Sequence, residues 1–338
     1  MTETPEQRVP LVFIYLGNPL PSYGLHSLHI ARRHYNGPVI LVTDQDVPGL
    51  PRGVQRDDVS QWYDKDAFQA FLERSPLDNL FAGGFWLLAA ERLFVLEQFM
   101  RSRHIDKIFH AELDVFISNL DGLGTELDDY GTGVFAPMDH PERALASLMY
   151  VNSQHALSQM VDYARDHVEL GDEMRILGTF IQQRPDIAHA LPSDHVFAGS
   201  GWPYSRSTVP ENVGLVDAVG FGKWLLGLDP RLHQKSTWNH AANEQVNPRL
   251  DSLRFRASPL GRQITVKSPV SGRLPLRTIH VHSKIHRRLR WPFVFWLYCL
   301  LANRSKPTPV VIQWRGWMGI LVDFLLRPRL TRTLPYAP

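Results

Sequence analysis

The chain has 338 residues, 44% of them hydrophobic and 21% charged, with a formal net charge of +2. That composition excludes a disordered or low-complexity chain and leaves room for one large domain or two modest ones. The single cysteine, Cys299, excludes an intrachain disulfide and fits a reducing, cytoplasmic setting.

In chain order, Leu11-Val12-Phe13-Ile14-Tyr15-Leu16 is a short continuous apolar run, the pattern of a strand buried on both faces. A loop over 17–24 follows, then a helix over 25–35 on the spacing of Leu25, Leu28, Ile30 and Ala31. Pro38 to Thr43 predicts a second buried strand ending at Asp44. This is a βαβ opening, but its first turn has no Gly-x-Gly-x-x-Gly, so it carries no dinucleotide fingerprint. Helices are predicted over 64–74 and 81–100, the second apolar nearly all round its first half yet carrying Glu91-Arg92. Residues 105–117 contain a buried strand, the run Ile108 to Ile117, which carries the acids Glu112 and Asp114. A strand is predicted over 133–136 and helices over 144–149, 153–168 and 171–182. A loop over 192–211, a short helix over 218–226, an irregular or β-like stretch over 249–270 and a last strand over 278–282 complete the domain. The alternation predicts an α/β fold with a mainly parallel sheet flanked by helices, residues 1–284, followed by a basic, helical C-terminal tail, 285–338.

The first ten residues lack the positive and apolar regions of a signal peptide. The tail holds nine Arg or Lys and one acid, Asp323, so the rest of the chain is acidic by six charges. Its apolar stretches, 291–302 and 310–326, fall short of the roughly 20 uninterrupted residues of a spanning helix. Two readings stay open: a peripheral anchor on an anionic membrane, or helices packed on the main domain. No nucleic-acid motif is present, and no nucleic acid is expected as a partner.

In a strand, residues two apart share a face, so Glu112 and Asp114 would be neighbours among apolar flanks. Two desolvated carboxylates repel, and a divalent cation is the simplest remedy. His280 and His282 share a face of the last strand as candidate metal ligands, and Lys284 follows as a point charge suited to phosphate. Arg92, in its apolar helix, needs an anion: an ion pair with Glu91, Glu97 or a loop acid, or a phosphate. Asp44 serves either a base and ribose or a helix cap. Asp172 opens a helix as a cap or acts as a base, and Asp217 precedes a Gly-rich stretch that reaches Asp229. Asn152 and His155 are weaker contact candidates.

The order of these elements, Arg92-Leu93, then Glu112-Leu113-Asp114, then His280, His282 and Lys284, resembles the GT-A nucleotide-sugar glycosyltransferases, the glycogenin-like and galactosyltransferase-like group in particular. The stretches from Phe109 to Asp114, Val216 to Pro230 and Ile279 to Lys284 look closer still to little-characterised bacterial glycosyltransferase-like proteins. The resemblance spans roughly residues 11 to 285, with Glu112 standing where that pattern has Asp and no Lys-Pro-Trp after the histidines. It implies Mn²⁺ or Mg²⁺ on Glu112, Asp114 and His280 or His282, with Lys284 and Arg92 on the diphosphate and Asp44 near the base and ribose. It also implies a nucleotide-sugar donor, a UDP-sugar foremost, and a saccharide or lipid-linked acceptor. An inverting enzyme would need a base, for which Asp172 and Asp217 are the candidates. The rivals are a nucleotidyltransferase or metal-dependent phosphohydrolase, and a catalytically inactive module held at a membrane by its tail.

Overall fold

The structure, a computed structural model, describes residues 8–77, 84–140, 142–193, 209–218, 220–227, 253–258, 263–268, 272–281, 289 and 292–304. The chain opens with β1 (Leu11–Tyr15), α1 (Ser22–His34), β2 (Val39–Thr43), β3 (Val54–Asp58), α2 (Asp66–Leu72) and α3 (Phe85–Arg103). Then come β4 (Ile108–Ala111), β5 (Val115–Ile117), α4 (Leu123–Asp128), β6 (Val134–His140), β7 (Arg143–Ala144) and β8 (Leu148–Val151). Next are α5 (Gln154–Asp166), α6 (Glu173–Gln183), β9 (Ala188–Leu191) and α7 (Gly220–Leu226). The last are β10 (Arg254–Ala257), β11 (Ile264–Ser268), β12 (Gly272–Leu276), β13 (Thr278–His280) and α8 (Pro292–Arg304).

The large sheet runs β3-β2-β1-β4-β8-β6-β7, with β9 beside β6. Strands β3, β2, β1 and β4 are mutually parallel, β8 is antiparallel to both β4 and β6, and β9 is parallel to β6. The fold is α/β, a mainly parallel sheet with helices on both faces. Alternation along β1 sorts the layers. Val12 and Ile14 face a core filled from α2, α3, α5 and α6 (Phe68, Phe94, Met160, Phe180). Leu11 and Phe13 face a second layer containing Leu28 of α1 and Leu123 and Leu127 of α4. Each such buried side chain stabilises the fold by roughly 1.5–3 kcal/mol. A separate apolar cluster joins α7, α8 and the antiparallel sheet β10-β11-β12.

Three expectations are corrected. Residues 144–149 are not helical: they contribute β7 and the start of β8, whose four residues are all buried between β4 and β6. The helix formers Ala, Leu and Met yield there to pairing on both sides. The run 108–117 is not one strand, because β4 and β5 are separated by a turn and belong to different sheets. The helix expected from residue 25 starts at Ser22, inside the predicted loop. β3 had no expectation: Val-Gln-Arg-Asp-Asp is too polar to read as a strand, and it forms the sheet's outer edge, where charge blocks further pairing.

Candidate metal centre

β4 ends at Ala111, and Glu112, Leu113 and Asp114 turn the chain at the carboxyl end of the parallel strands, closed by Val115 N–H donating to the Glu112 carbonyl (3.1 Å). Leu113 is buried and anchors the turn in the α1-side core, while Glu112 and Asp114 on either side of it are half-buried. The chain then leaves the large sheet: β5 pairs antiparallel with β13, His280 opposite Val115. Val281 N–H donates to the Asp114 carbonyl (2.6 Å), which carries the ladder into the acidic turn. A strand far away in sequence thus sets an imidazole beside two carboxylates. Ligand atoms of Glu112, Asp114 and His280 all lie within 4.8 Å of one another.

His280 Nδ1 lies 3.2 Å from the Ala218 carbonyl, which can only accept, so Nδ1 carries the hydrogen. Nε2 then points a lone pair at Asp114 Oδ2, 3.1 Å away. Two acceptors at that separation require a cation between them, either a second proton on the ring or a metal ion. A ligating histidine whose other nitrogen is tied to a backbone carbonyl is the usual arrangement around a metal. One imidazole and two carboxylates make a mixed nitrogen and oxygen donor set that can hold a divalent cation.

The backbone of His280 is held by Asp217. That carboxylate is fully buried and accepts from Phe221 N (3.0 Å), Gly222 N (2.7 Å) and His280 N (2.8 Å), which caps α7 and ties it to β13. Burial nevertheless pushes its pKa up to about 6, against the pull of those donors. A side chain at residue 222 is impossible without movement, since a Cβ there would sit 1.8 Å from the His280 carbonyl oxygen.

Arg92 enters from α3. Its Nη2 donates to Glu112 Oε1 (2.8 Å) and Glu173 Oε1 (3.2 Å), so its anions are neither Glu91 nor Glu97. Burial works against its charge, but the carboxylates of Glu112 and Glu173 prevail and hold the guanidinium protonated. Burial also pushes Glu173 up to about 8 despite Arg92. The other Glu173 carboxyl oxygen, Oε2, is buried without a hydrogen-bond partner. Glu173 does not stand out in the sequence, because an acid in the first turn of a helix is ordinary on dipole grounds. Its spacing with Ile176, Leu177 and Phe180, all buried, is the signal that marks an inward-facing carboxyl. Beneath the turn, His110 donates from Nδ1 to the Val12 carbonyl (3.0 Å) and stays neutral, pushed down to about 3 by burial and by Arg92. Tyr23, at the start of α1, is raised by burial and by the nearby Asp114 and Glu112.

The remaining candidates divide. Asp44 is exposed at the end of β2 and accepts from Gly17 N–H at 3.0 and 3.1 Å. Asp172 caps α6, accepting from Arg175 N (2.9 Å). Asn152 lies at the opposite end of the sheet, where its amide pairs with Gly133, Asp128 and Gly131, and His155 is exposed beside Gln159. His282, Lys284 and Asp229 lie outside the described residues. Two open cavities, of about 660 and 340 Å³, share Arg8, Val9 and Lys107 at the amino ends of the strands, away from the metal cluster. No helix among the described residues is long and apolar enough to cross a membrane.

No protein-family model matches the chain, and no curated protein matches it. Among solved structures, the apo form of mouse xyloside xylosyltransferase 1 is similar, at 12% identity over 59% of this chain and 94% of that one, with a TM-score of 0.38. No residue role is carried over from it.

Proposed function

We propose that the chain is a metal-dependent glycosyltransferase that moves a sugar from a nucleotide-diphosphate donor, a UDP-sugar foremost, to a glycan or lipid-linked saccharide at the cytoplasmic face of a membrane. The observation that carries this reading is the convergence of Glu112, Asp114 and His280 at the carboxyl end of β4, the side of a parallel sheet on which ligands bind. A divalent ion there would neutralise the charge that develops on a leaving diphosphate. Glu112 and Asp114 supply hard oxygen ligands, and His280 supplies the third donor in a fixed tautomer. Arg92 fixes the Glu112 carboxylate and keeps positive charge beside the centre. Asp44, exposed at the carboxyl end of β2 with β1 between it and β4, takes the base or ribose role. Lys284 and His282 keep the diphosphate and metal roles their sequence positions imply. Of the two candidate bases, Asp172 is the accessible one, and the three backbone bonds of Asp217 suit it to positioning His280.

The test is thermal denaturation with UDP-, GDP- and TDP-sugars, with and without Mn²⁺. A shift that requires both metal and nucleotide sugar is expected, and Asp114→Asn should abolish it while the metal-free melting curve persists. The reading is lost if no nucleotide sugar gives a metal-dependent shift. An unchanged shift in Asp114→Asn would move the ion elsewhere.

A further inference from the structure

The sheet β10-β11-β12 has one apolar face and one cationic face. Phe255, Ala257, Ile264, Val266, Leu274 and Leu276 turn inward to the separate apolar cluster shared with α7 and α8, a second core. Arg254, Arg256, Lys267 and Arg273 are exposed on the other side. The strand registers set Arg254 opposite Lys267 and Lys267 opposite Arg273. Three cations therefore run in a row straight across three strands, each about 5 Å from the next at Cβ. Arg256 stands two residues along on the same face, opposite Thr265, and none of the three strands contains an acid. Like charges directly opposite one another weaken antiparallel pairing, so sheet stability does not account for the row. An anionic surface laid across it would.

The neighbour of this face indicates which surface. α8 lies along the outer edge of β10, where Asn303 accepts from Phe255 N–H (2.8 Å) and donates to the Phe255 carbonyl (2.9 Å). The helix reads Pro-Phe-Val-Phe-Trp-Leu-Tyr-Cys-Leu-Leu-Ala-Asn-Arg, without a charge before Arg304. It buries Tyr298, Cys299 and Ala302 against the second core and leaves Leu297 38% exposed. The cationic row, beside a helix that exposes Leu297, is complementary in charge to an anionic bilayer, whose headgroups take the charge. A nucleic acid would call for aromatic side chains interleaved among the cations, and this face has none.

We propose that the β10–β12 face is a docking surface for an anionic phospholipid bilayer, with Arg254, Lys267 and Arg273 as the row that meets the headgroups. No residue of this face belongs to the metal centre, so the proposal stands or falls separately from the glycosyltransferase reading. The test is co-sedimentation of the full chain with phosphatidylcholine vesicles, with and without phosphatidylglycerol. Partition is expected only onto the anionic vesicles. The triple variant Arg254→Gln/Lys267→Gln/Arg273→Gln should weaken it on the order of 100-fold, about fivefold for each cation. The double variant Arg254→Lys/Arg273→Lys should retain it. Should the triple variant fail to fold, Lys267→Gln alone is expected to lose about fivefold. Equal partition of wild type and variant, or wild-type indifference to phosphatidylglycerol, would overturn the proposal. The metal-dependent thermal shift should be the same in wild type and variant, which separates failure of this surface from failure of the centre.

Discussion

Around the acidic turn each polar residue has one job that the others make necessary. His280 can be a ligand because Ala218 takes its other hydrogen, and Glu112 keeps its orientation because Arg92 holds one oxygen. Below them, His110 must stay neutral, because its ring is buried and a guanidinium lies nearby. That has a pH consequence whose sign can be worked out. His110 titrates near 6.5 in the unfolded chain but only at about 3 in the folded one. The unfolded chain therefore binds the extra proton as pH drops below 6.5, and stability falls. This contribution is fully present above pH 6.5 and is lost progressively toward pH 3. Urea unfolding of wild type against His110→Gln should show it: the wild type loses about 2 kcal/mol more than the variant between pH 7 and pH 5. Parallel pH profiles would show that His110 takes up a proton in the fold.

At the scale of elements, the centre depends on how closely α7 meets β13. Gly222→Ala would press a methyl group into the His280 carbonyl, so β13 must shift away from α7. The expected result is a loss of about 1–3 kcal/mol in stability, together with weaker Mn²⁺ binding in an electron paramagnetic resonance titration. Normal Mn²⁺ affinity in a folded Gly222→Ala variant would show that this contact does not position the ligand. This dependence was not legible in the sequence, where Asp217 reads as a candidate base ahead of a Gly-rich stretch and nothing points to the β13 backbone it holds. The βαβ opening was legible, because β1 and β2 are continuous apolar runs buried on both faces. β8 was not, because its first residues, Leu148 and Met149, favour helix on their own and are strand through pairing with β4 and β6. The break after β4 was hidden by Leu113, which is as buried as a strand residue and so prolongs the apolar run through a turn. Residue chemistry thus singled out Glu112, Asp114 and His280, which the fold brings together, while Glu173 and the Asp217 clamp needed the packing.

Across the whole molecule, the candidate centre is where two cores meet. The acidic turn belongs to the large sheet, whereas His280 borders the cluster built from α7, α8 and β10–β12. An ion bound only by the folded chain stabilises it by mass action, about 2.7 kcal/mol at a hundred times its dissociation constant. Hydrogen exchange with and without Mn²⁺ should localise part of that gain: slower exchange at Phe116, Ile279 and Val281, and little change in β2 and β3. Uniform protection, or none, would mean that the ion does not join the two parts. The β5–β13 ladder has a further consequence for the order of events during synthesis. His280 is made 168 positions after Glu112. At ribosomal speeds of roughly 5–20 residues per second, the turn waits on the order of ten to thirty seconds for its third ligand. Through that interval the emerging chain offers an ion two carboxylates and no imidazole, so tight capture marks the moment the C-terminal strand docks.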